Sequence, residues 1–152
     1  MLAEKWILIA DDNEDDALFL ARSIQQAGLG QLEVFAANGE QVFQCLDHWG
    51  WFHSAPPGLP DIIVLDQVMP RMTGLEVLRE LRNEAEYDAI PVIMYSGQIR
   101  PEHIREARIL HASAYIEKHI APTRLQFVLR SLSSCCHILK EPMFVEPPAA
   151  IF

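Results

Sequence analysis

The sequence predicts an α/β fold, a doubly wound five-stranded parallel sheet with helices on both faces. Two observations predict it. Short apolar runs alternate with segments of helical periodicity along the whole chain. The strongest runs are apolar at consecutive positions, which is typical of strands that are buried on both faces. Right-handed crossovers turn such an alternation into a parallel sheet between two layers of helices.

Five apolar runs supply the strands, and the segments between them supply the helices. The strands are expected at 6–10, 32–36, 62–65, 92–95 and 112–116. The first helix carries an apolar stripe from Ala17 to Ala27 and stops at Gly28. Capping-box spacing begins the second helix at Asn38 and Gln41 and the third at Thr73 and Glu76. Pro101 and Pro122 open the fourth and fifth helices.

The predicted strand order is 2-1-3-4-5, the flavodoxin-like arrangement. Its ligand site lies beyond the carboxyl ends of the strands, near the switch between the first and third strands. This domain is expected over residues 1–134. A Pro- and Gly-rich loop at 50–60 interrupts the alternation, and residues 135–152 continue the fifth helix into a Pro-rich tail.

Length and charge exclude several classes of protein. The 152 residues suit one domain with a substantial core. Twelve Lys and Arg residues against 21 Asp and Glu residues give a net charge of -9, which argues against nucleic acid and anionic membranes as partners. No apolar run approaches the roughly 20 residues that span a bilayer. The number of cysteines is odd and their spacing is irregular, so we expect a cytoplasmic protein without a disulfide framework. Cys135, Cys136 and His137 lack a second ligand cluster, which argues against a metal site there.

Polar side chains stand where four of the predicted strands end. Asp11 and Asp12 follow the first strand, and the third, fourth and fifth strands end at Asp66, Ser96 and Lys118. Each has a structural alternative, such as helix capping for the acidic pair or a turn for the others. All of them at one sheet edge are better explained by a Mg²⁺ site with room for a phosphate. A carboxylate there can form an aspartyl-phosphate, and Asp66 is the best candidate because it has no acidic neighbour.

Four segments resemble the receiver domain of two-component response regulators. They are the acidic pair after the first strand (8–12, LIADD), the acceptor segment (66–74, DQVMPRMTG), the strand that ends in a switch hydroxyl (92–97, VIMYSG) and the aromatic with its Lys (114–118, AYIEK). The similarity covers about residues 5–134. The loop at 50–60, the acidic start of the first helix and the extended C-terminus resemble the single-domain receivers that partner bacterial phytochromes.

The resemblance implies a role for each matching residue. Asp66 would accept a phosphoryl group from a sensor histidine kinase or a phosphotransfer protein. Mg²⁺ would bind Asp12, Asp66 and the backbone carbonyl of Val68 directly, and Asp11 largely through water. Lys118 and Ser96 would contact the phosphoryl oxygens. Ser96 would then let Tyr115 turn inward and remodel the face of helix 4, strand 5 and helix 5.

The sequence departs from the family pattern after Lys118. His119 replaces the usual Pro, and a cis peptide bond before a non-proline residue costs about 2.5–4 kcal/mol, so we expect a trans bond or a reshaped loop. At the second position after the acceptor, Val68 is unable to orient water, and we expect slow loss of the phosphoryl group.

Particular residues argue against two other classes of function. A phosphatase of the haloacid-dehalogenase type would need a second Asp where Val68 stands. A docking receiver that acts without phosphorylation is disfavoured by the intact set of site residues. The chain is therefore expected to be a phosphoacceptor rather than an enzyme. Without room for an output domain, it would signal through a downstream partner protein. The apolar residues of the tail are expected to pack on the chain's own surface or across a homodimer formed by the helix 4–strand 5–helix 5 face.

Overall fold

The fold is a parallel sheet between two layers of helices. The computed structural model describes residues 6–28, 32–118, 120–135 and 143–144. Its strands are β1 (Trp6–Ala10), β2 (Leu32–Ala36), β3 (Ile62–Leu65), β4 (Val92–Ser96), β5 (Ala114–Glu117) and β6 (Met143–Phe144). Every neighbouring pair is parallel in the order β2-β1-β3-β4-β5-β6. The predicted order of the first five strands is confirmed, and β6 adds a sixth strand at the β5 edge.

Five helices connect the first five strands and follow the last of them. They are α1 (Glu14–Gln26), α2 (Gly39–Leu46), α3 (Gly74–Asn83), α4 (Pro101–Ile109) and α5 (Pro122–Cys135). A 3₁₀ turn, Gly50–Phe52, lies within the predicted 50–60 loop. None of these helices is both long enough and apolar enough to cross a membrane.

Local capping fixes where the helices start and stop. Thr73 and Glu76 form both halves of the predicted capping box at α3. At α2 the box is half formed, because the Asn38 side chain accepts from the Gln41 backbone N–H, whereas the Gln41 side chain accepts from Ala37. After α1 the chain turns at Gly28 with φ +75°, a conformation that costs glycine little.

Two separate apolar clusters flank the sheet. One contains Leu8, Tyr115 and buried residues of α2, α3 and α4. The other contains Ile7, Ile9 and buried residues of α1 and α5. Successive strand residues point to opposite faces, so each central strand contributes to both clusters. Because both faces of these strands are buried, their apolar residues occur at consecutive positions in the sequence.

Part of the tail pairs with the chain's own sheet. Met143 and Phe144 stand in parallel register beside Ala114 and Tyr115 of β5. The expectations about His119, about Cys136 and His137 and about the rest of the tail concern positions outside the described residues.

Candidate functional site

Three carboxylates meet at the carboxyl ends of β1 and β3. Asp11, Asp12 and Asp66 each offer one oxygen, and these oxygens all lie within 4.8 Å of one another. Asp11 and Asp66 are buried, whereas Asp12 is exposed. Oxygen ligands at this spacing fit a hard divalent cation, which also relieves the repulsion among the carboxylates. The donor set therefore suits the predicted Mg²⁺.

The two members of the acidic pair have different surroundings. Asp11 accepts the backbone N–H of Asn13 through Oδ1, at 2.9 Å, and pairs with Lys118 through Oδ2, at 2.8 Å. Asp12 makes no ion pair with any residue that the structure describes. Both Asp11 oxygens are thus engaged, and Asp12 is the freer ligand of the pair.

Lys118 is the only cation whose ion pairs, in the described part of the chain, join it to this acidic edge. Its Nζ lies 2.8 Å from Asp11 Oδ2, 2.9 Å from Asp16 Oδ2 and 3.1 Å from Asp66 Oδ2. Burial disfavours the charge of Lys118, but hydrogen bonds to Asp11 and Asp16 and the charge of Asp66 outweigh it and raise the Lys118 pKa. The ammonium therefore stays charged in contact with the predicted phosphoacceptor.

Asp66 is an unusually basic carboxylate. Burial and, to a smaller extent, the charge of Asp11 raise its pKa, Lys118 opposes both effects, and the resulting pKa is about 6. A nucleophile must be ionised, and a carboxylate so placed ionises more readily when more positive charge comes close. The site is thus suited to acting together with a bound cation.

The third and fourth strands hold the acceptor segment and the switch hydroxyl. A Cβ on Gly74 would overlap the Asp66 carbonyl oxygen, so only glycine lets α3 start this close to Asp66. The Val68 N–H donates to Asp66 Oδ1 at 3.3 Å, and Val68 as a residue is 58% exposed. The Val68 carbonyl stays a predicted metal ligand. Ser96 is buried at the end of β4, where its Oγ accepts the Gln98 N–H at 3.2 Å.

Tyr115 already points inward in this structure. Its side chain is 1% exposed, and its hydroxyl has no hydrogen-bond partner among the described residues. Burial raises the pKa of the phenol, while the neighbouring Ser96 lowers it by a smaller amount. The predicted switch pair is therefore adjacent, on two paired strands.

Sequence reasoning missed two residues of this edge. From the sequence, Asp16 is only one more acid in the first turn of α1. In the structure, Asp16 pairs with Lys118. Gln67 is buried, and its side-chain oxygen accepts the Leu75 N–H at 2.9 Å, which ties the acceptor segment to α3. Helix position was the available signal for Asp16, because the third helical residue faces back toward the cap.

The comparisons with known proteins agree with one another on the family. The family model described as response regulator receiver domain matches residues 7–130. The structure of a response regulator of red light signalling from R. palustris, RPA3017, is 27% identical, with a TM-score of 0.76 over 90% of this chain and 96% of that one. The phosphorylated cyanobacterial phytochrome response regulator RcpA is 26% identical, with a TM-score of 0.73 over 88% and 94% of the two chains.

A larger curated relative shows the same similarity over part of its length. The sensory/regulatory protein RpfC of Xanthomonas campestris is 29% identical over 139 residues, which are 90% of this chain but 18% of RpfC. The chain thus spans less than a fifth of that relative.

Proposed function

The chain belongs to the response regulator receiver family, and from that premise we propose that it accepts a phosphoryl group on Asp66 from a sensor histidine kinase or a phosphotransfer protein. An Asp66 carboxylate oxygen attacks the phosphorus of a phosphohistidine. The P–N bond breaks, its electron pair returns to the imidazole, and an acyl phosphate forms on Asp66.

The residues around Asp66 supply positioning and charge. Asp12, Asp66 and the Val68 carbonyl would hold Mg²⁺, with Asp11 largely linked through water. When bound, the ion neutralises charge on the transferring group. Lys118 donates to a phosphoryl oxygen, and the Ser96 hydroxyl contacts another.

One observation carries this proposal. A buried ammonium, Lys118 Nζ, lies 3.1 Å from Asp66 Oδ2 at the same strand edge where three carboxylate oxygens lie within 4.8 Å of one another. A purely structural ion pair would not need two further acids at that distance.

The signal leaves through a protein contact. Phosphorylation shifts Ser96 and the packing of Tyr115 and thereby biases the α4–β5–α5 face between two arrangements. A downstream protein binds that face in the cytoplasm. The similarity to RPA3017 and RcpA supports a phytochrome-type kinase as the source of the phosphoryl group.

Intact mass tests the proposal directly. The protein is incubated with Mg²⁺ and acetyl phosphate, alongside Asp66→Asn and Asp15→Asn, an exposed acid near the site. We expect one added phosphoryl group on the wild type and on Asp15→Asn, none on Asp66→Asn, and none when the metal is chelated. An unmodified wild type, or equal modification of Asp66→Asn, would refute the assignment.

Val68 argues against the phosphatase alternative. That chemistry needs a second carboxylate as acid and base, and here the position carries an exposed apolar side chain. Slow self-dephosphorylation stays a prediction, which a phosphoryl half-life of seconds in the purified protein would contradict.

A further inference from the structure

Asp16 is a third acidic partner of Lys118 that the proposed phosphoryl transfer does not use. The Lys118 side chain is 10% exposed, and its three acceptors come from the end of β1, the first turn of α1 and the end of β3. An ammonium has three N–H donors, so the set is complete. Of the three acceptors, Asp11 and Asp66 belong to the carboxylate group that could hold a metal, and Asp16 lies outside it.

Helix capping explains how Asp16 comes to face the site. Asn13 caps α1 by accepting the Asp16 N–H at 3.0 Å, which makes Asp16 the third helical residue. An acid at that position ordinarily returns to the cap N–H. Here the Asn13 N–H already donates to Asp11 Oδ1, at 2.9 Å. The Asp16 carboxylate is therefore available to a partner 102 residues away.

We propose that Asp16 is a positioning residue that holds the Lys118 ammonium in the site. If Asp11 and Asp66 engaged a metal ion and a phosphoryl group, Lys118 would lose two carboxylate acceptors in their present form. Asp16 keeps its bond, so the ammonium remains aimed at the position where the phosphoryl oxygens arrive. The consequence for phosphorylation rests on the proposed function, whereas the anchoring of Lys118 does not.

Lysine ammonium NMR measures the anchoring itself. The chain carries lysine only at positions 5, 118 and 140, so Lys118→Met assigns the Lys118 signal in a ¹⁵N-lysine spectrum. Asp16 is 41% exposed and water screens the pair, so we expect Asp16→Asn to speed ammonium hydrogen exchange by about two- to fivefold. Asp15→Asn removes the same charge from the same turn and should leave the exchange rate unchanged. Equal exchange rates in Asp16→Asn and the wild type would overturn the proposal.

Phosphorylation kinetics measure the consequence. At saturating Mg²⁺ and acetyl phosphate, Asp16→Asn should lower the initial rate by about two- to fivefold relative to Asp15→Asn. In a Lys118→Met background the Asp16 substitution should have no further effect, because it acts through Lys118. An equal loss with and without Lys118 would show an effect of charge alone and overturn the positioning role.

The two measurements separate the two hypotheses. A wild type that takes up no phosphoryl group refutes the proposed function, and the ammonium spectrum still decides whether Asp16 anchors Lys118. A phosphorylated wild type with identical Asp16→Asn and Asp15→Asn kinetics leaves the proposed function standing and refutes the positioning role.

Discussion

Charge imbalance defines the chemistry of the site at the scale of single residues. One ammonium serves Asp11, Asp16 and Asp66, and exposed Asp12 adds a further carboxylate at the same edge. The excess of negative charge and the burial of Asp66 together explain why the Asp66 pKa rises to about 6 although a lysine touches it. A divalent cation bound at this edge would neutralise part of that excess negative charge.

The buried Tyr115 hydroxyl has no hydrogen-bond partner within the described part of the chain, and this should cost the folded state stability. A buried hydroxyl without a partner loses its hydrogen bonds to water and gains none. Tyr115→Phe should therefore raise the free energy of unfolding by about 1 kcal/mol, measured by urea denaturation.

A second tyrosine is the control for that substitution. The Tyr87 hydroxyl donates to Asp47 Oδ1 at 2.7 Å, so Tyr87→Phe should lower stability by about 1 kcal/mol. Opposite signs are expected for the two variants, and a loss at Tyr115 equal to that at Tyr87 would contradict the prediction.

Cys45 gives the stability a dependence on alkaline pH. Burial raises its thiol pKa from 9.0 to about 11. Between these values the unfolded chain releases a proton that the folded chain keeps, so the folded state binds more protons and stability falls as pH rises.

Cys45→Ala removes that contribution and provides the measurement. Urea unfolding of both proteins from pH 8 to 10.5 should show the stability advantage of the wild type largest at pH 8 and smaller at each higher pH. The tyrosines titrate in both proteins and cancel in the difference. A difference that does not change with pH would show that the folded thiol titrates normally.

At the scale of elements, α3 starts against the backbone of the phosphoacceptor. Alanine normally favours a helix over glycine by about 1 kcal/mol, but at position 74 its Cβ would overlap the Asp66 carbonyl oxygen and lie 2.9 Å from Met94 Cε. Gly74→Ala should therefore destabilise the protein by about 1–3 kcal/mol, the usual cost of overpacking.

Gly97 is the matched position for this test. A Cβ there would meet no atom within 4 Å, so Gly97→Ala should change stability by less than about 0.5 kcal/mol. Urea denaturation distinguishes the two variants, and equal effects would mean that α3 can move away from Asp66 without cost.

The elements that the sequence predicted are those whose signal is local. Consecutive apolar residues, prolines at helix starts and the Thr73–Glu76 spacing all act within a few residues, and strands β1–β5 and helices α1–α5 follow from them. The same strand ends brought Asp11, Asp12 and Asp66 together as expected.

What the sequence missed depends on contacts between distant segments. Asp16 meets Lys118 across 102 residues, and an acid in a first helical turn is already explained by the helix dipole. The strand β6 has two residues, and its pairing depends on where β5 leaves an open edge. Neither contact has a local pattern to predict it.

At the scale of the whole molecule, β6 covers the edge of the sheet at β5. An unpaired edge offers its N–H and C=O groups to other chains. Truncation after Glu141 should therefore increase self-association with concentration, measured by sedimentation velocity. This outcome follows if the tail packs on its own chain, as Met143 and Phe144 do.

The homodimer proposed for the α4–β5–α5 face makes the opposite prediction. A tail that bridges two copies would give a dimeric full-length chain and a monomeric truncated one. A truncated chain with the same oligomeric state as the full-length chain at all concentrations would contradict both versions of the tail's role.

The two apolar clusters determine which parts of the protein can be changed without disturbing the packing around Tyr115. Tyr115 belongs to the layer that holds α2, α3 and α4, while Leu125, Val128 and Leu129 of α5 belong to the layer across the sheet with α1. The sheet separates the two apolar clusters. Tyr115 shares its apolar cluster with Ile104 and Ala107 of α4, whereas the sheet separates it from the buried residues of α5. Stabilising substitutions among the buried apolar residues shared by α1 and α5 should therefore leave the packing around Tyr115 unaltered.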